Sequence, residues 1–66
     1  MSRDYKDGIY KSDNAIYFIK GGKILMRLMG VWYRTTESFM QGDYKEELNE
    51  NLSKQFDGVY EKVKQW

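Results

Sequence analysis

Hydrophobic residues follow two different periods in the two halves of the chain. In the first half, short apolar runs rich in Ile, Tyr and Phe are separated by turn-forming residues: Gly8, the Ser-Asp-Asn segment at 12–14, and Gly21-Gly22. Runs of this length and composition are typical of β-strands. This pattern therefore predicts an antiparallel β-meander of three or four strands over residues 8–36.

In the second half, apolar residues recur every three or four positions, the spacing of a helix that buries one side. They fall within an arc of about 120° on a helical wheel. They are Tyr44, Leu48, Leu52, Phe56, Val59, Val63 and Trp66. Asp43 and Glu46 are the predicted N-terminal capping pair. Gly58 weakens the helix, so a break after Phe56 is the alternative to one long helix over 43–66, which we expect.

The predicted fold class is α+β, a small antiparallel β-meander followed by one long C-terminal amphipathic helix packed on one sheet face. We expect a single domain over 1–66, in which 37–42 links the sheet to the helix. Phe39 and Met40 in this linker predict a turn or short helix that covers one end of the core. A chain of 66 residues buries only about 60% of its unfolded surface, so its stability should be marginal.

The Gly21-Gly22 pair predicts which strand residues lie opposite each other. A type I′ turn needs positive φ at both central residues, and it pairs Lys20 with Lys23 and Tyr17 with Met26. One face of this hairpin is then almost wholly apolar, and we expect the helix to pack on it. That face consists of Ala15, Tyr17, Ile19, Ile24, Met26 and Leu28.

The opposite face combines apolar and basic side chains. A second two-residue turn at Asp13-Asn14 would extend the apolar row Ile9–Phe18–Leu25 across three strands. Because one helix covers only one face of a small sheet, this second face is predicted to bind a partner. The candidate interface residues are Ile9, Lys11, Ile16, Phe18, Lys20, Lys23, Leu25, Arg27 and Met29. The alternative is that the linker or the N-terminal arm folds over this face.

Two conformations are open to the chain after Met29. A bend or bulge at Gly30 would leave Trp32 facing inward. A tight Met29-Gly30 turn would instead place Trp32 beside Arg27 and Tyr33 inward, but it requires an unfavourable positive φ at Met29. We expect the bend.

Charge is distributed unevenly along the sequence. The chain carries a net charge of +1, but residues 1–36 carry +4 and residues 37–66 carry −3. This asymmetry indicates either a charged binding face or a basic sheet packed beside an acidic helix.

The composition argues against most enzyme classes. The chain has no His and no Cys, which removes thiol nucleophiles, serine–histidine pairs and zinc sites. We therefore expect no enzyme, no catalytic or metal-binding residue and no cofactor, and no small-molecule substrate is evident. The longest apolar run, at 15–19, is too short to cross a membrane, so a cytoplasmic location is expected.

These patterns favour a small protein-binding module of the inhibitor or adaptor type. Its partner would be another protein or a second copy of the chain in a homodimer, and accessory proteins of phages and mobile elements include modules of this kind. Aromatic, Met and Arg side chains such as Phe18, Met29 and Arg27 are enriched in interface cores. The alternative is a single-stranded nucleic-acid-binding protein in which Phe18 stacks on bases and Lys and Arg contact phosphates.

Overall fold

The computed structural model describes residues 5–65 and has an α+β fold. Its elements are β1 (Gly8–Lys11), β2 (Ala15–Lys20), β3 (Lys23–Leu28), β4 (Val31–Thr35), a 3₁₀ helix (Glu37–Phe39), β5 (Asp43–Glu46), α1 (Glu50–Tyr60) and β6 (Lys64–Gln65). The sheet has the order β5-β1-β2-β3-β4-β6, and only β4 and β6 pair in parallel. The α+β class and the meander are confirmed, but the sheet has more strands than the three or four predicted and the helix is shorter.

The first two hairpins have the predicted register. Gly21 and Gly22 adopt φ of 56° and 80°, and β2 pairs with β3 from Lys20 opposite Lys23 onward. At the Asp13-Asn14 turn, the backbone N–H of Ser12 donates to the carbonyl oxygen of Ala15 at 2.9 Å. Both turns contain two residues, so the side chains of each strand alternate between the faces as the sequence predicts.

Met29 and Gly30 form a tight turn between β3 and β4, so the predicted bend with Trp32 inward is wrong. Met29 has a φ of 52° and Gly30 a φ of 80°. The left-handed conformation costs a residue such as Met29 about 1–2 kcal/mol. The turn allows all five residues of β4 to pair with β3, and this pairing offsets the cost. Trp32 consequently lies opposite Arg27 on one face, and Tyr33 lies on the other.

The predicted helix over 43–66 is wrong at its beginning, because Asp43–Glu46 forms strand β5 instead. This segment pairs with β1, which would otherwise be an exposed sheet edge, and these backbone hydrogen bonds outweigh helix propensities of less than about 1 kcal/mol per residue. The Tyr44 ring packs edge-on against Tyr10, with ring centroids 5.4 Å apart. Gly42, at φ 112°, allows the chain to pass close to the backbone of Lys11.

The helix α1 begins after Asn49, whose side-chain oxygen accepts a hydrogen bond from the backbone N–H of Leu52 at 2.8 Å. Asn49 therefore has the capping role that the sequence assigned to Asp43 with Glu46. The helix ends at Tyr60, and Lys64–Gln65 returns to the sheet beside β4. Trp66, the last residue of the predicted apolar stripe, lies outside the described residues.

The main hydrophobic core lies on the face that was expected to receive the helix, but the helix does not pack there. Met40, only 8% exposed, and the partly buried Tyr5 pack against this face instead. The short 3₁₀ helix reverses the chain after β4 and so brings Met40 back over the sheet. The buried core residues are Tyr10, Ala15, Tyr17, Ile19, Ile24, Met26 and Met40.

The helix α1 packs on the opposite face, against β2 and β4. Phe56 is its one buried residue within the described part of the chain and is 3% exposed. Lys20 reaches from β2 to the helix, where its Nζ lies 2.6 Å from an Asp57 carboxylate oxygen. Both faces of the central strands are therefore used in folding the chain.

Candidate binding surface at the turn end of the sheet

The nine predicted interface residues do not form one open surface. Leu25 is 1% exposed, and Phe18 is half-buried beside it under the helix. The row Ile9–Phe18–Leu25 therefore belongs largely to the packing between sheet and helix. Lys20 is paired with Asp57, and Lys23 Nζ lies 5.2 Å from the centre of the Tyr60 ring.

The exposed Lys23 lies at the Gly21-Gly22 end of the sheet, whereas Lys11, Arg27 and Met29 are exposed at the other end, beside the half-buried Ile16. This end contains the Asp13-Asn14 and Met29-Gly30 turns, and the helix leaves its outermost row uncovered. We call it the turn-end surface, and it consists of Lys11, Ile16, Arg27, Met29 and Trp32. Four of these five were predicted as interface residues, and Trp32 was not.

An apolar cleft opens between this surface and the helix. Its volume is about 150 Å³, which is enough for a benzene-sized group. The sheet contributes Phe18 and Trp32, whose ring centroids are 5.1 Å apart, while Phe56 closes the helical side. Arg27 and Gln55 supply its polar groups, so the cleft offers an apolar interior with polar groups at its border.

A second, shallower depression lies between the two turns. It has a volume of about 290 Å³ and is lined by Lys11, Ile16, Arg27 and Met29, among others. Arg27 lines both this depression and the apolar cleft. Arg27 is therefore the residue that the two cavities share.

The cations of the turn-end surface have no acidic partner within residues 5–65. Arg27 and Lys11 are both exposed, and neither forms an ion pair in this part of the chain. The guanidinium carbon of Arg27 lies 5.7 Å from the centre of the Trp32 ring, in a cation–π contact. This contact orients Arg27 while its hydrogen-bond donors remain available.

Met29 is the most exposed large apolar residue that the structure describes, at 92%. Its side chain contributes little to the core, and its positive φ is unfavourable for any residue with a side chain. Neither packing nor turn geometry therefore accounts for a methionine at this position.

Sequence reasoning missed the contribution of Trp32 and of the helix. The orientation of Trp32 depends on the Met29-Gly30 turn, which the residue preferences at that turn disfavour. The helical residues at the cleft share the predicted apolar stripe, but the sequence does not say which sheet face they cover. The helix contributes Leu52, Gln55, Phe56 and Val59.

No group of three or more His, Cys, Asp or Glu side chains within residues 5–65 is placed to hold a metal ion. None of the helices in that range is long and apolar enough to span a membrane. The sequence matches no protein-family model, and it shows no significant similarity to a curated protein or to a solved structure.

Proposed function

We propose that the chain is a small protein-binding module and that the turn-end surface binds an acidic and apolar segment of a partner protein. The observation that carries this proposal is Met29, 92% exposed at a strained turn and sharing a depression with Arg27, which also lines the open apolar cleft. Backbone strain of this kind is often found at binding sites.

The partner's chemistry follows from the charges and the cleft. An apolar side chain of the partner fills the cleft beside Trp32, and carboxylates next to it in the partner pair with Arg27 and Lys11. Met29 adapts its unbranched side chain to the partner's surface. Met, Trp and Arg are residue types that are enriched in interface cores.

A photo-crosslinking experiment tests this proposal. A benzophenone amino acid is placed at position 29 and, in a matched control, at Phe39, which is 52% exposed in the linker. We expect position 29 to capture a discrete partner in cells and position 39 not to, and Arg27→Glu to abolish the capture because it reverses the charge. Equal capture at both positions, or capture that survives Arg27→Glu, would contradict the proposal.

A second copy of the chain is a separate outcome of the same experiment. The exposed acidic residues Asp43, Glu46, Glu47 and Glu50 could meet the turn-end surface of another copy. Crosslinking between copies, together with a mass above that of the monomer in light scattering, would indicate that the turn-end surface binds a second copy of the chain and not a different protein.

Single-stranded nucleic acid is the second candidate, and the outward position of Trp32 favours it. Trp32 with Arg27 resembles a stacking platform with a neighbouring phosphate contact, although the helix covers Phe18, the ring first expected to stack. Titration of labelled single-stranded oligonucleotides at low and near-physiological salt tests it, because phosphate binding weakens steeply with salt. We expect no saturable binding at low salt.

A further inference from the structure

The apolar cleft of the turn-end surface has a lining that selects for one kind of side chain. Two of its lining residues, Leu25 and Phe56, are buried, at 1% and 3% exposure. The other apolar lining residues are only half-buried, so a group that enters the cleft can contact their side chains directly. These residues are Phe18, Trp32, Leu52 and Val59.

Three of the lining side chains are aromatic, and each belongs to a different element. The rings of Phe18 on β2 and Trp32 on β4 have centroids 5.1 Å apart and planes inclined by 42°. Phe56 of the helix lines the same cleft. Aromatic rings attract one another at centroid distances of about 4.5–7 Å, beyond the effect of the area that they bury. A ring in the cleft therefore gains a contact that an aliphatic group of similar size lacks.

The volume of the cleft, about 150 Å³, sets the size of the group that it accepts. An apolar cavity of about this volume can hold benzene, so a phenyl group fits. The cavity beside Glu37, at the opposite end of the sheet, is larger, at about 480 Å³, and mixes polar with apolar lining residues. It therefore does not select a single ring in the same way.

Arg27 adds a positive charge at the border of the apolar cleft. Its guanidinium carbon lies 5.7 Å from the centre of the Trp32 ring, and it has no acidic partner within residues 5–65. A guanidinium that stacks on a ring keeps the N–H donors along its edge available to a carboxylate. One residue of an extended chain spans about 3.3–3.6 Å. A carboxylate that pairs with Arg27 therefore belongs to a residue next to the one whose ring contacts Trp32.

We propose that the partner segment inserts a phenylalanine side chain into this cleft and carries an acidic residue directly beside it. This inference rests on the proposed function and names the residue with which the partner is anchored. The phenyl ring contacts Phe18 and Trp32, and the neighbouring carboxylate pairs with Arg27. The segment is thus recognised by an aromatic and an electrostatic contact at once.

Nuclear magnetic resonance titration of the isotope-labelled chain with short peptides tests this proposal. The probes are acetyl-Asp-Phe-Asp-amide and the same peptide with leucine or cyclohexylalanine in place of phenylalanine. Cyclohexylalanine is as large and as apolar as phenylalanine but has no aromatic ring, so it separates the effect of the ring from that of buried area. We expect saturable shifts in the millimolar range, largest at 18, 27 and 32. The phenylalanine peptide should bind about two- to tenfold more tightly than the other two.

Variants separate a role in recognition from a role in folding. Trp32→Leu should abolish the preference for phenylalanine over cyclohexylalanine, whereas a purely structural loss would weaken all three peptides equally. Arg27→Met should weaken the phenylalanine peptide at least about fivefold, because it removes a charge-assisted hydrogen bond. Lys23→Met is the matched control, because Lys23 is also exposed and without an ion pair within residues 5–65 but lies outside the cleft. It should bind the peptide with wild-type affinity.

The outcomes distinguish this inference from the proposed function. Equal or tighter binding of the leucine or cyclohexylalanine peptide would overturn the phenylalanine anchor but leave the turn-end surface as a binding site. The absence of saturable shifts with the phenylalanine peptide would also overturn it, while crosslinking at position 29 still decides the proposed function. Wild-type affinity in Arg27→Met, or an equal loss in Arg27→Met and Lys23→Met, would refute the specific pairing with a neighbouring carboxylate.

Discussion

Phe56→Ala tests whether the helix is part of the folded core. Phe56 is 3% exposed and packs between the helix and the sheet, where it lines the same cleft as Phe18 and Leu25. Its ring also stacks on Tyr60 at a centroid distance of 5.6 Å. Truncation removes all of these contacts without introducing a polar group.

The expected loss of stability is large for a chain of this size. Substituting a buried phenylalanine by alanine lowers the free energy of unfolding by about 3–5 kcal/mol in protein cores. The cleft beside Phe56 is open, so water and neighbouring side chains fill part of the space, and we expect a loss near the lower end, about 3 kcal/mol. Stabilities of about 0.05–0.15 kcal/mol per residue give a total of only about 3–10 kcal/mol for 66 residues.

Urea titration followed by circular dichroism measures this loss. With a urea dependence of about 1 kcal/mol per molar, a loss of about 3 kcal/mol should lower the unfolding midpoint by about 3 M. Gly58→Ala is the control on the same helix, because a Cβ at Gly58 would meet nothing within 4 Å. It should raise stability by roughly 0.5–1 kcal/mol. A loss below about 1 kcal/mol for Phe56→Ala would refute the packing of the helix on this face.

Two further predictions concern the backbone at Gly42 and the phenol of Tyr10. Gly42→Ala should cost at least about 2 kcal/mol in the same urea titration, because its Cβ would lie 2.7 Å from the Lys11 carbonyl carbon at a φ of 112°. Gly30→Ala, at φ 80° in open space, should cost only about 1 kcal/mol, and equal losses would contradict the close contact. Burial raises the pKa of the Tyr10 phenol, and the Lys6 ammonium only partly opposes this. The folded chain therefore holds this proton more tightly, so its contribution to stability is complete below about pH 10 and is lost as the pH rises through the folded pKa. Tyr10→Phe should flatten the fall in stability above about pH 10, and an unchanged slope would contradict the assignment.

The hairpins could be predicted from the sequence because their information is local. Gly21-Gly22 allows a two-residue turn at little steric cost, and the alternation of side chains then follows for both strands. The Met29-Gly30 turn shows the limit of this reasoning. The preference of Met29 against positive φ amounts to only about 1–2 kcal/mol, and the pairing of a whole strand outweighs it.

The position of the helix could not be predicted, because both sheet faces carry apolar residues that need to be covered. The sequence favoured the more apolar face, but that face is covered by Met40 and Tyr5, which lie within a few residues of the sheet strands. The less apolar face is left for the helix, where Lys20 pairs with Asp57 instead of remaining at an open surface. Some of the opposite charges of the two halves thus pair with each other within the fold.

The strands β5 and β6 could not be predicted because their own residues do not favour a strand over other conformations. Three of the four residues of Asp43–Glu46 are charged and the segment is exposed, which suits an edge strand but also suits the first turn of a helix. Only the vacant edge of β1 selects the strand, and that edge exists only after the meander has formed. Lys64–Gln65 depends on β4 in the same way.

Covering both faces of the central strands has a consequence for where this chain can bind ligands. A sheet with one open face can bind through the middle of that face, but here the middle is occupied by Phe56 on one side and Met40 on the other. Concave, solvent-accessible surface remains at the two ends of the strands, where turns and chain reversals leave cavities. The cavities at Arg27 and at Glu37 lie at these opposite ends. Because they share no lining residue, a ligand at one end would not displace a ligand at the other.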